Sequence, residues 1–555
     1  MSESRILPNK IDQLQVSLIN YEGESVNVTG LCEKVEIFEG IFQTFSTITL
    51  LITDALGLIE RFPILGDEMI VVTYKTPGER YKLRTRTYKL YKTGERVEAA
   101  QRQVNFTVHG IDEYALFQEM QNVDKSFVGK NVLEAIEDIY NTAALSGSTS
   151  GVDVSDATSA GTTGGLGDLG GTASFMQGTD TSRATLSGTF GKDNVTPSEG
   201  VQGRFIQQRQ TLYGRDKERF TRDKCKSFTT YCAPGGTPME AIKMLLDEAI
   251  HVDTNNNSDF IFFQTYEGFH CTTIGELKDE RGKTLEFLLG DQGLVQNNEE
   301  ERFTAQHIIL EAKIKKFVDV IQNLGTGLYK NRVVVVDPLT KRYDSRVFTY
   351  QQDFVYLKKL NGRGNRIHAD NSLYRKPPSS THTRYLVGEL TTNSLNKKEP
   401  SGFSPDPRDA LSFLTYKQSP YLNRSDLNRD PKIKFPNERH KILNRKIGER
   451  ALLDSLILEI VIPGNSDVKA GDVIYVFAPQ PSASEAQALD FNLFFGIEKA
   501  RFLVTAVRHI YSRKSLNFVT QLDLMKDSLE FKPETIRRKV KAEFGSWHKV
   551  IIQII

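Results

Sequence analysis

Hydrophobic and polar positions alternate with a period of two in the first part of the chain. The alternation is clearest in residues 14–20 and 46–55, and a run of β-forming residues follows the turn at Gly66. Side chains of a half-buried strand point in turn to the core and to solvent, so these stretches predict strands. Residues 84–110 predict two more strands around a polar connection that contains Gly94. Consecutive strands without intervening helices indicate an antiparallel sheet, closed into a small barrel or a sandwich.

The pattern changes to a helical period after Lys130. Four apolar residues fall on one helical face, opposite acidic residues: Val132, Ile136, Ile139 and Tyr140. A second helix is predicted from its capping signals, because Thr237 suits the cap, Pro238 suits the first helical position and Glu240 follows three residues after the cap. A β-hairpin that turns at Gly268 follows. The middle of the chain is therefore predicted to be α+β.

Strand patterns return later in the chain, at residues 305–317, 332–354, 450–479 and 500–527. The second of these predicts a hairpin through Asp337 and Pro338. Residues 357–444, which separate it from the next strands, are polar, proline-rich and basic. They predict a long surface excursion with little core of its own.

Residues 146–200 consist mostly of Gly, Ser and Thr. Such a composition cannot bury enough apolar surface to offset the entropy lost on ordering. The string GGLGDLGG within it follows no predicted strand and lacks the lysine of a phosphate-binding loop. We expect a flexible or partner-ordered insertion rather than a phosphate site.

The chain contains one turn-plus-strand pattern twice. Gly66 and Asp67 precede the first strand, and Gly471 and Asp472 precede the second, an offset of 471 − 66 = 405 residues. In both places a strand precedes the turn, and strand, loop, strand, polar turn and strand follow it. An offset this long indicates a duplicated domain, and chance similarity between β-meanders is the alternative. The opening strands of the first copy have predicted counterparts in the second: 14–20 with 307–317, and 33–40 with 332–337.

The predicted fold is mainly β with α+β insertions. It contains two similar antiparallel, tube-like β-barrels, the second split by an insertion. A chain of 555 residues is too long for one ordinary core. The predicted division is: residues 1–117, first barrel; 118–300, α+β domain with the 146–200 insertion; 301–356 and 445–530, second barrel; 357–444, polar basic insertion; 531–555, C-terminal tail.

A series of motifs gives the chain a resemblance to a known family. After the first barrel come GKNVLEAIEDIYN, TPMEAIKMLLDEAI, DFIFFQTYEGFH, DPLTKRY, KAGDVIYVF and FLVTAVRHIYS. Their order resembles that of the baseplate hub protein of contractile phage tails, and the hub part of type VI secretion spike proteins is similar in plan. The resemblance covers most of the chain. It departs in residues 146–200 and 357–445, which are larger than the core of that family requires.

The resemblance implies a structural protein of the virion tail baseplate, assembled in the host cytoplasm. Three chains with two barrels each would offer six similar barrels in a ring, which matches a sixfold partner. In that family such a homotrimer is a symmetry adaptor that joins the hexameric tail tube to the trimeric central spike. Tube and spike proteins are the implied partners, with baseplate wedge and tape-measure proteins as further candidates. DNA is expected only in passage through the lumen. The apolar end around Trp547 is expected to pack on the spike or on a neighbouring hub chain.

Composition narrows the classes of partner. The net charge of +1, from 71 basic and 70 acidic residues, gives no global attraction to nucleic acid or anionic lipid. No signal peptide and no membrane-spanning segment are predicted. The cysteines are few and unevenly spaced: Cys32, Cys225, Cys232 and Cys271. Thiols in a reducing cytoplasm are expected, and a local bridge between Cys225 and Cys232 is the alternative.

No catalytic, cofactor-binding or metal-binding residues are predicted, and we expect no enzyme. His440 lacks the second histidine of a zinc motif, and no GxSxG nucleophile turn is present. His270 and Cys271 are neighbours on a predicted strand and point to opposite faces, so they cannot chelate one ion as a simple pair. Asp279 and Glu280 lie in charged loop sequence.

Three other functions stay open: a cell-wall glycan-binding tail protein, a hydrolase tail protein and a hub of a type VI-like secretion spike. A glycan binder should show clustered exposed aromatic residues, but the chain has one tryptophan, near its end. No segment resembles a free-standing hydrolase domain.

Overall fold

The computed structural model describes most of the predicted core of the chain. The described residues are 10–20, 23–55, 57–77, 81–100, 103–142, 211–214, 220–225, 228–232, 235–252, 259–279, 285–289, 307–317, 319–337, 342–361, 413–418, 439–454, 456–477 and 499–529. The predicted insertion at 146–200, most of the excursion at 357–444 and the tail at 531–555 lie outside them. The fold is mainly β with helices, as predicted.

The first β unit comprises seven strands and one short helix, all from the first 111 residues. They are β1 Gln13–Ile19, β2 Ser25–Asn27, β3 Cys32–Gly40, β4 Thr47–Asp54, α1 Leu58–Arg61, β5 Met69–Lys75, β6 Arg84–Ala100 and β7 Gln103–Ile111. Their spatial order is β2-β1-β5-β6-β7-β4-β3, and every pair is antiparallel. Every second residue of β4 is buried, including Ile48, Leu50 and Ile52. The predicted period-two alternation thus marks the face that builds this core.

The expected connection around Gly94 is wrong. Strand β6 continues through Gly94 as far as Ala100, which pairs with Gln103 at the start of β7. The pairing of β6 with β7 shifts register between Thr93 and Arg96, so Gly94 lies in a β-bulge. A Cβ atom on Gly94 would lie 3.1 Å from the Cβ atom of Thr107. The glycine therefore allows close approach within a strand and does not end it.

An α+β block follows. Its elements are α2 Glu113–Glu119, β8 Ser126–Asn131, α3 Val132–Thr142, β9 Thr211–Tyr213, β10 Phe228–Cys232, α4 Pro238–Glu248, β11 Phe260–Thr265, β12 Gly268–Thr273 and α5 Ile274–Lys278. Strands β8 and β10 pair antiparallel, β11 and β12 form the predicted hairpin, and β9 runs parallel to β12. The four residues predicted to share one face of α3 are all buried. They pack with α4 and the hairpin in one core.

The predicted cap of α4 is confirmed. The Thr237 hydroxyl oxygen accepts a hydrogen bond from the Glu240 amide at 3.3 Å. The Glu240 carboxylate in turn accepts one from the Thr237 amide at 3.2 Å. This reciprocal arrangement satisfies two amide groups that the helix itself leaves without partners.

The described residues from 285 onwards form a second β unit and a separate small sheet. The elements are β13 Leu285–Leu289, β14 Ile308–Ile309, β15 Glu311–Phe317, α6 Val320–Gly325, β16 Lys330–Asp337, β17 Arg342–Thr349, α7 Tyr350–Asp353, β18 Phe413–Gln418, α8 Arg439–Leu453, β19 Leu456–Pro463, β20 Val473–Phe477, β21 Lys499–Ser512 and β22 Asn517–Met525. The second β unit consists of β13 to β15 and β19 to β22. Strands β16 to β18 form their own sheet, in which β16 and β17 are the predicted hairpin.

The two β units place their strands in the same order. In the first unit the order is β3-β4-β7-β6-β5-β1, and in the second it is β15-β19-β22-β21-β20-β13. Chain order agrees at every position, so the strands correspond one to one. One pair differs in direction, because β1 is antiparallel to β5 whereas β13 is parallel to β20. The prediction of two closed, tube-like barrels goes beyond strand order and stays a prediction, as do the domain boundaries.

Two predicted correspondences between the units are wrong. Within residues 307–317, strand β15 occupies the position of β3, not that of β1, because β15 pairs with β19 as β3 pairs with β4. Residues 332–337 lie in the separate sheet, where β16 pairs with β17 and β18. The strand that corresponds to β1 is β13. Its five-residue pattern is too short to be recognised without its partner strand.

The turns before β5 and β20 share their backbone geometry, but the structure aligns them one residue differently from the Gly-Asp repeat. Both glycines adopt a positive φ, 101° at Gly66 and 92° at Gly471. The Leu90 amide donates to the Glu68 carbonyl oxygen at 2.9 Å, and the Val504 amide donates to the Asp472 carbonyl oxygen at 2.8 Å. Glu68 is therefore the structural counterpart of Asp472. The sequence repeat aligns Gly66 with Gly471, whereas the strand pairing aligns Glu68 with Asp472, so the two alignments differ by one residue.

Candidate functional site

The two β units are joined edge to edge by one strand pair, the junction. Residues 34–40 of β3 pair antiparallel with residues 506–512 of β21. The preceding residues of β21, 499–503, pair with β20 on the same edge. Strand β21 thus belongs to the second unit in its first half and extends the first unit in its second half. This shared strand fixes the orientation of one unit relative to the other.

A buried polar cluster lies against the junction. Arg86 of β6 forms an ion pair with Glu39 of β3, and their side chains are 6% and 0% exposed. His509 of β21 lies 3.0 Å from the Thr520 hydroxyl oxygen through Nδ1, and its ring centre is 5.6 Å from that of Tyr74. Burial, with a smaller effect of Arg86, lowers the pKa of His509 to about 3. The histidine is therefore neutral at neutral pH. Buried polar partners of this kind tolerate few alternative registers, because a shift would leave each of them unsatisfied.

A second polar cluster connects the α+β block to both units. The Ser466 amide donates to the Thr76 hydroxyl oxygen at 2.8 Å. Arg84 forms an ion pair with Asp467 at 2.9 Å, and its guanidinium lies 3.8 Å from the ring centre of Tyr266 in the β11–β12 turn. First unit, second unit and hairpin therefore meet at one place. The contacts make the three parts a single scaffold for whatever binds to it.

An open groove lies beside the first unit. It has a volume of about 560 Å³ between the turn after β3, strand β6 and helices α2 and α4. Two aromatic side chains at its rim are largely exposed, Phe42 at 56% and Tyr91 at 51%. Glu119 of α2 and Glu240 and Lys243 of α4 add two negative charges and one positive charge. Such a surface can bind a partner through apolar contact and a few directed polar bonds.

His270 and Cys271 point to opposite faces of β12, as the strand geometry predicts. The His270 ring stacks on Phe263, with ring centres 5.1 Å apart, and Nε2 lies 2.8 Å from the Thr265 hydroxyl oxygen. Cys271 is buried in the core of the α+β block, where desolvation strongly raises the pKa of its thiol. The two side chains lie on opposite faces of the strand, so they do not converge on one metal ion.

Of the other residues considered in the sequence, Glu280 lies outside the described residues. Asp279 follows α5 and forms an ion pair with Lys358 at 3.0 Å. His440 lies near the start of α8. None of the four cysteines forms a disulfide bond, so the local bridge between Cys225 and Cys232 is not formed. Within the described ranges, no group of three or more histidine, cysteine or acidic side chains is placed to hold a metal ion.

Comparison with solved structures shows to which proteins this fold is similar. The tail protein from Neisseria meningitidis MC58 aligns with a TM-score of 0.45 and 10% identity, over 93% of this chain and 97% of that one. The 43 kDa tail protein of prophage MuSo2 from Shewanella oneidensis aligns with a TM-score of 0.41 and 9% identity, over 93% and 100%. A type VI secretion component from E. coli aligns with a TM-score of 0.33 and 10% identity, over 94% and 77%. The similar solved structures thus include two tail proteins, one of them from a prophage, and a type VI secretion component.

No family model and no curated protein matches the sequence. In the described part of the chain, every helix is too short or too polar to cross a membrane.

Sequence reasoning missed the junction and the groove. The junction joins strands about 470 residues apart, and neither strand carries a local signal for its partner. The groove is lined by Phe42 of a turn and Tyr91 of a strand, and no local sequence signal brings these two side chains together. The repeated Gly-Asp turn was the one available signal, because it indicated two units that had to be placed together.

Proposed function

We propose that this protein is a structural hub of a phage tail baseplate. The observation that supports it is internal duplication with a fixed junction. The same strand order occurs twice in one chain, and β3 and β21 hold the two units side by side. A duplicated, rigidly joined pair of similar β units suits a part that presents repeated surfaces to a symmetric partner.

The finer proposal is a homotrimer of tube-like barrels. Three chains would place six similar units in a ring that matches a hexameric tail tube, while the ring itself stays threefold and matches a trimeric central spike. Tube and spike proteins are the proposed partners in the virion, with baseplate wedge and tape-measure proteins as further ones. The protein acts by contact and has no catalytic role of its own. A hub of a type VI-like secretion spike would use the same geometry.

The mass and symmetry of the assembly test this proposal. Native mass spectrometry of the purified full chain should show three copies, and electron microscopy of the same sample should show a ring with six similar lobes. An antibody against the chain should label the end of the phage tail distant from the head. A chain that stays monomeric at tens of micromolar, or labelling elsewhere on the particle, would overturn it.

A second candidate function, binding of cell-wall glycan, is favoured by the groove. Exposed aromatic rings such as Phe42 and Tyr91 can stack on the apolar faces of sugars. Calorimetry with peptidoglycan fragments tests it. Binding that is lost in Tyr91→Ala and kept in Leu65→Ala, an exposed apolar residue outside the groove, would support this function, and absence of binding would exclude it.

A further inference from the structure

Strand β15 presents an open edge. One edge of β15 pairs with β19. Among the residues that the structure describes, no strand pairs with its other edge. Residues 311–315 are exposed on both faces, and Ile314 is 48% exposed. An exposed strand edge with an apolar side chain favours pairing with another strand.

Strand β6 presents a second open edge. Strand β5 covers one edge of β6 only from Arg84 to Lys89. Beyond that point β6 pairs with β7 on its other edge, and no described residue pairs with the edge that β5 leaves. Tyr91 and Val97 on this part are 51% and 57% exposed. A strand that extends past its neighbour in this way leaves backbone groups available to a partner.

The junction shows what these two edges are built to bind. Strand β15 is the counterpart of β3, and β6 is the counterpart of β21. Within the chain, β3 pairs with the part of β21 that extends past β20. The two open edges are thus the missing halves of a second junction of the same kind. They belong to opposite units, so a second copy of the chain can supply the partner for each.

We infer that β15 of one chain pairs antiparallel with residues 92–98 of β6 in a second copy. The occupant of each open edge is therefore the same protein. The inference rests on the self-assembly part of the proposed function. Pairing of one edge with a different edge is a head-to-tail contact, which generates a closed ring when the rotation per chain divides the circle. In a ring of three chains, three junctions within chains would alternate with three between chains.

Register follows from a bulge that both units share. The β6–β7 pairing shifts between Leu90 and Lys92, and the β21–β22 pairing shifts between Val504 and Ala506. Leu90 therefore corresponds to Val504. Counting from this point along β7 and β22, Asn105 corresponds to Val519. Asn105 pairs with Val97, and Val519 pairs with Ile510. Val97 therefore corresponds to Ile510.

The same counting applies to β15. Thr49 of β4 pairs with His109 and Glu459 of β19 pairs with Asp523, and His109 corresponds to Asp523 by the counting along β7 and β22. Glu36 of β3 pairs with Thr49, and Lys313 of β15 pairs with Glu459. Lys313 therefore corresponds to Glu36. Because Glu36 lies opposite Ile510 in the junction, Lys313 of one chain should lie opposite Val97 of the next.

A cross-linking experiment tests this pair. The Ile41 amide donates to the Thr505 carbonyl oxygen at 2.9 Å, so these two residues form a hydrogen-bonded pair of the ladder. Hydrogen-bonded and non-hydrogen-bonded pairs alternate along an antiparallel ladder, so Glu36 and Ile510, five positions further along, form a non-hydrogen-bonded pair. Cα atoms of such pairs are about 4.5 Å apart, within the range of a disulfide. Val97→Cys with Lys313→Cys is made in the full chain, with the exposed Cys232 changed to serine. Oxidised glutathione supplies the oxidant.

The expected result is a set of covalent oligomers on a non-reducing gel that disappear with reductant. The matched control, Thr93→Cys with Lys313→Cys, places the thiol four residues away on the same strand and should give monomer only. A native trimer that does not cross-link at positions 97 and 313 would overturn the inference and leave the proposed function standing. A chain that is monomeric by native mass would overturn both.

A matched pair of charge variants gives a second test without new thiols. Val97 is exposed in the single chain, so both substitutions should leave its unfolding temperature unchanged. Val97→Lys places a like charge opposite Lys313 and should weaken self-association at least threefold, whereas Val97→Glu places an opposite charge there and should not. Equal association by both variants would contradict the register.

Discussion

At the scale of single residues, buried groups next to the junction determine how the fold responds to pH. His509 is fully buried, and desolvation lowers the pKa of its ring to about 3. The folded state therefore holds the neutral ring, whereas the unfolded chain binds a proton below about pH 6.5. Stability from this group is fully present above pH 6.5 and is lost as the pH falls from there towards 3.

His509→Gln should reduce the pH dependence of stability. The free energy of unfolding of the unchanged protein should fall with decreasing pH below 6.5, by up to about 1.4 kcal/mol per pH unit from this histidine. Urea unfolding at pH 7.5 and pH 5.0 measures the difference. His109→Gln is the control, because His109 is a partly exposed histidine on the surface of β7. An unchanged slope in His509→Gln would contradict the proposed origin of the effect.

Two glycines with the same backbone conformation should differ in their tolerance of a side chain. Gly471→Ala adds strain at φ 92° and a Cβ atom 3.2 Å from the Phe263 ring, whereas Gly66→Ala adds strain at φ 101° with nothing within 4 Å. Both should lower the free energy of unfolding by about 1 kcal/mol or more, with the larger loss for Gly471→Ala. Thermal unfolding of the two variants measures this, and a larger loss for Gly66→Ala would be inconsistent with the structure.

At the scale of elements, helix α4 depends on its cap. Thr237→Ala removes the hydroxyl that accepts from the Glu240 amide and should cost about 1 kcal/mol. Thr237→Ser keeps the acceptor and should be nearly neutral. Urea unfolding of the two variants checks the prediction. Equal stability of both would mean that Glu240 alone maintains the start of the helix.

The cap, the buried face of α3 and the hairpin at Gly268 were all predictable from the sequence. In each case the determining residues lie within a few positions of one another, so local patterns carry the information. The role of Gly94 was not predictable, because a glycine in a bulge and a glycine in a turn have the same neighbours. Strand β16 was assigned to the wrong sheet, because the choice of partner depends on chain that is distant in sequence.

At the scale of the whole molecule, one buried lysine connects three distant segments. Lys278, at the end of α5, forms ion pairs with Glu449 of α8 and, at 2.9 Å, with Asp527 after β22. All three side chains are at most 2% exposed. Burial alone would lower the pKa of Lys278, but Asp527 and Glu449 raise it above its ordinary value. The lysine is therefore charged at any ordinary pH, and the two carboxylates depend on it.

Lys278→Met should destabilise the protein by about 3–5 kcal/mol, because it removes the cation that both buried carboxylates contact. Adding Glu449→Gln and Asp527→Asn should recover part of that loss. Lys514→Met removes a largely exposed lysine from its ion pair with Glu33 and should cost at most about 1 kcal/mol. Urea unfolding measures all three, and a loss in Lys278→Met no larger than in Lys514→Met would refute the role of the triad.

The junction also has a consequence for synthesis of the protein on the ribosome. The first unit is continuous in sequence and can fold as soon as β7 has emerged, but the partner of β3 lies far behind it. Gly40 pairs with Ala506, a separation of 506 − 40 = 466 residues. At a rate of synthesis of about 5–20 residues per second, the edge of β3 stays uncovered for roughly 25 to 95 seconds in every nascent chain. During that interval neighbouring ribosomes carry identical open edges, so growth at a lower temperature or with more chaperone should raise the soluble yield.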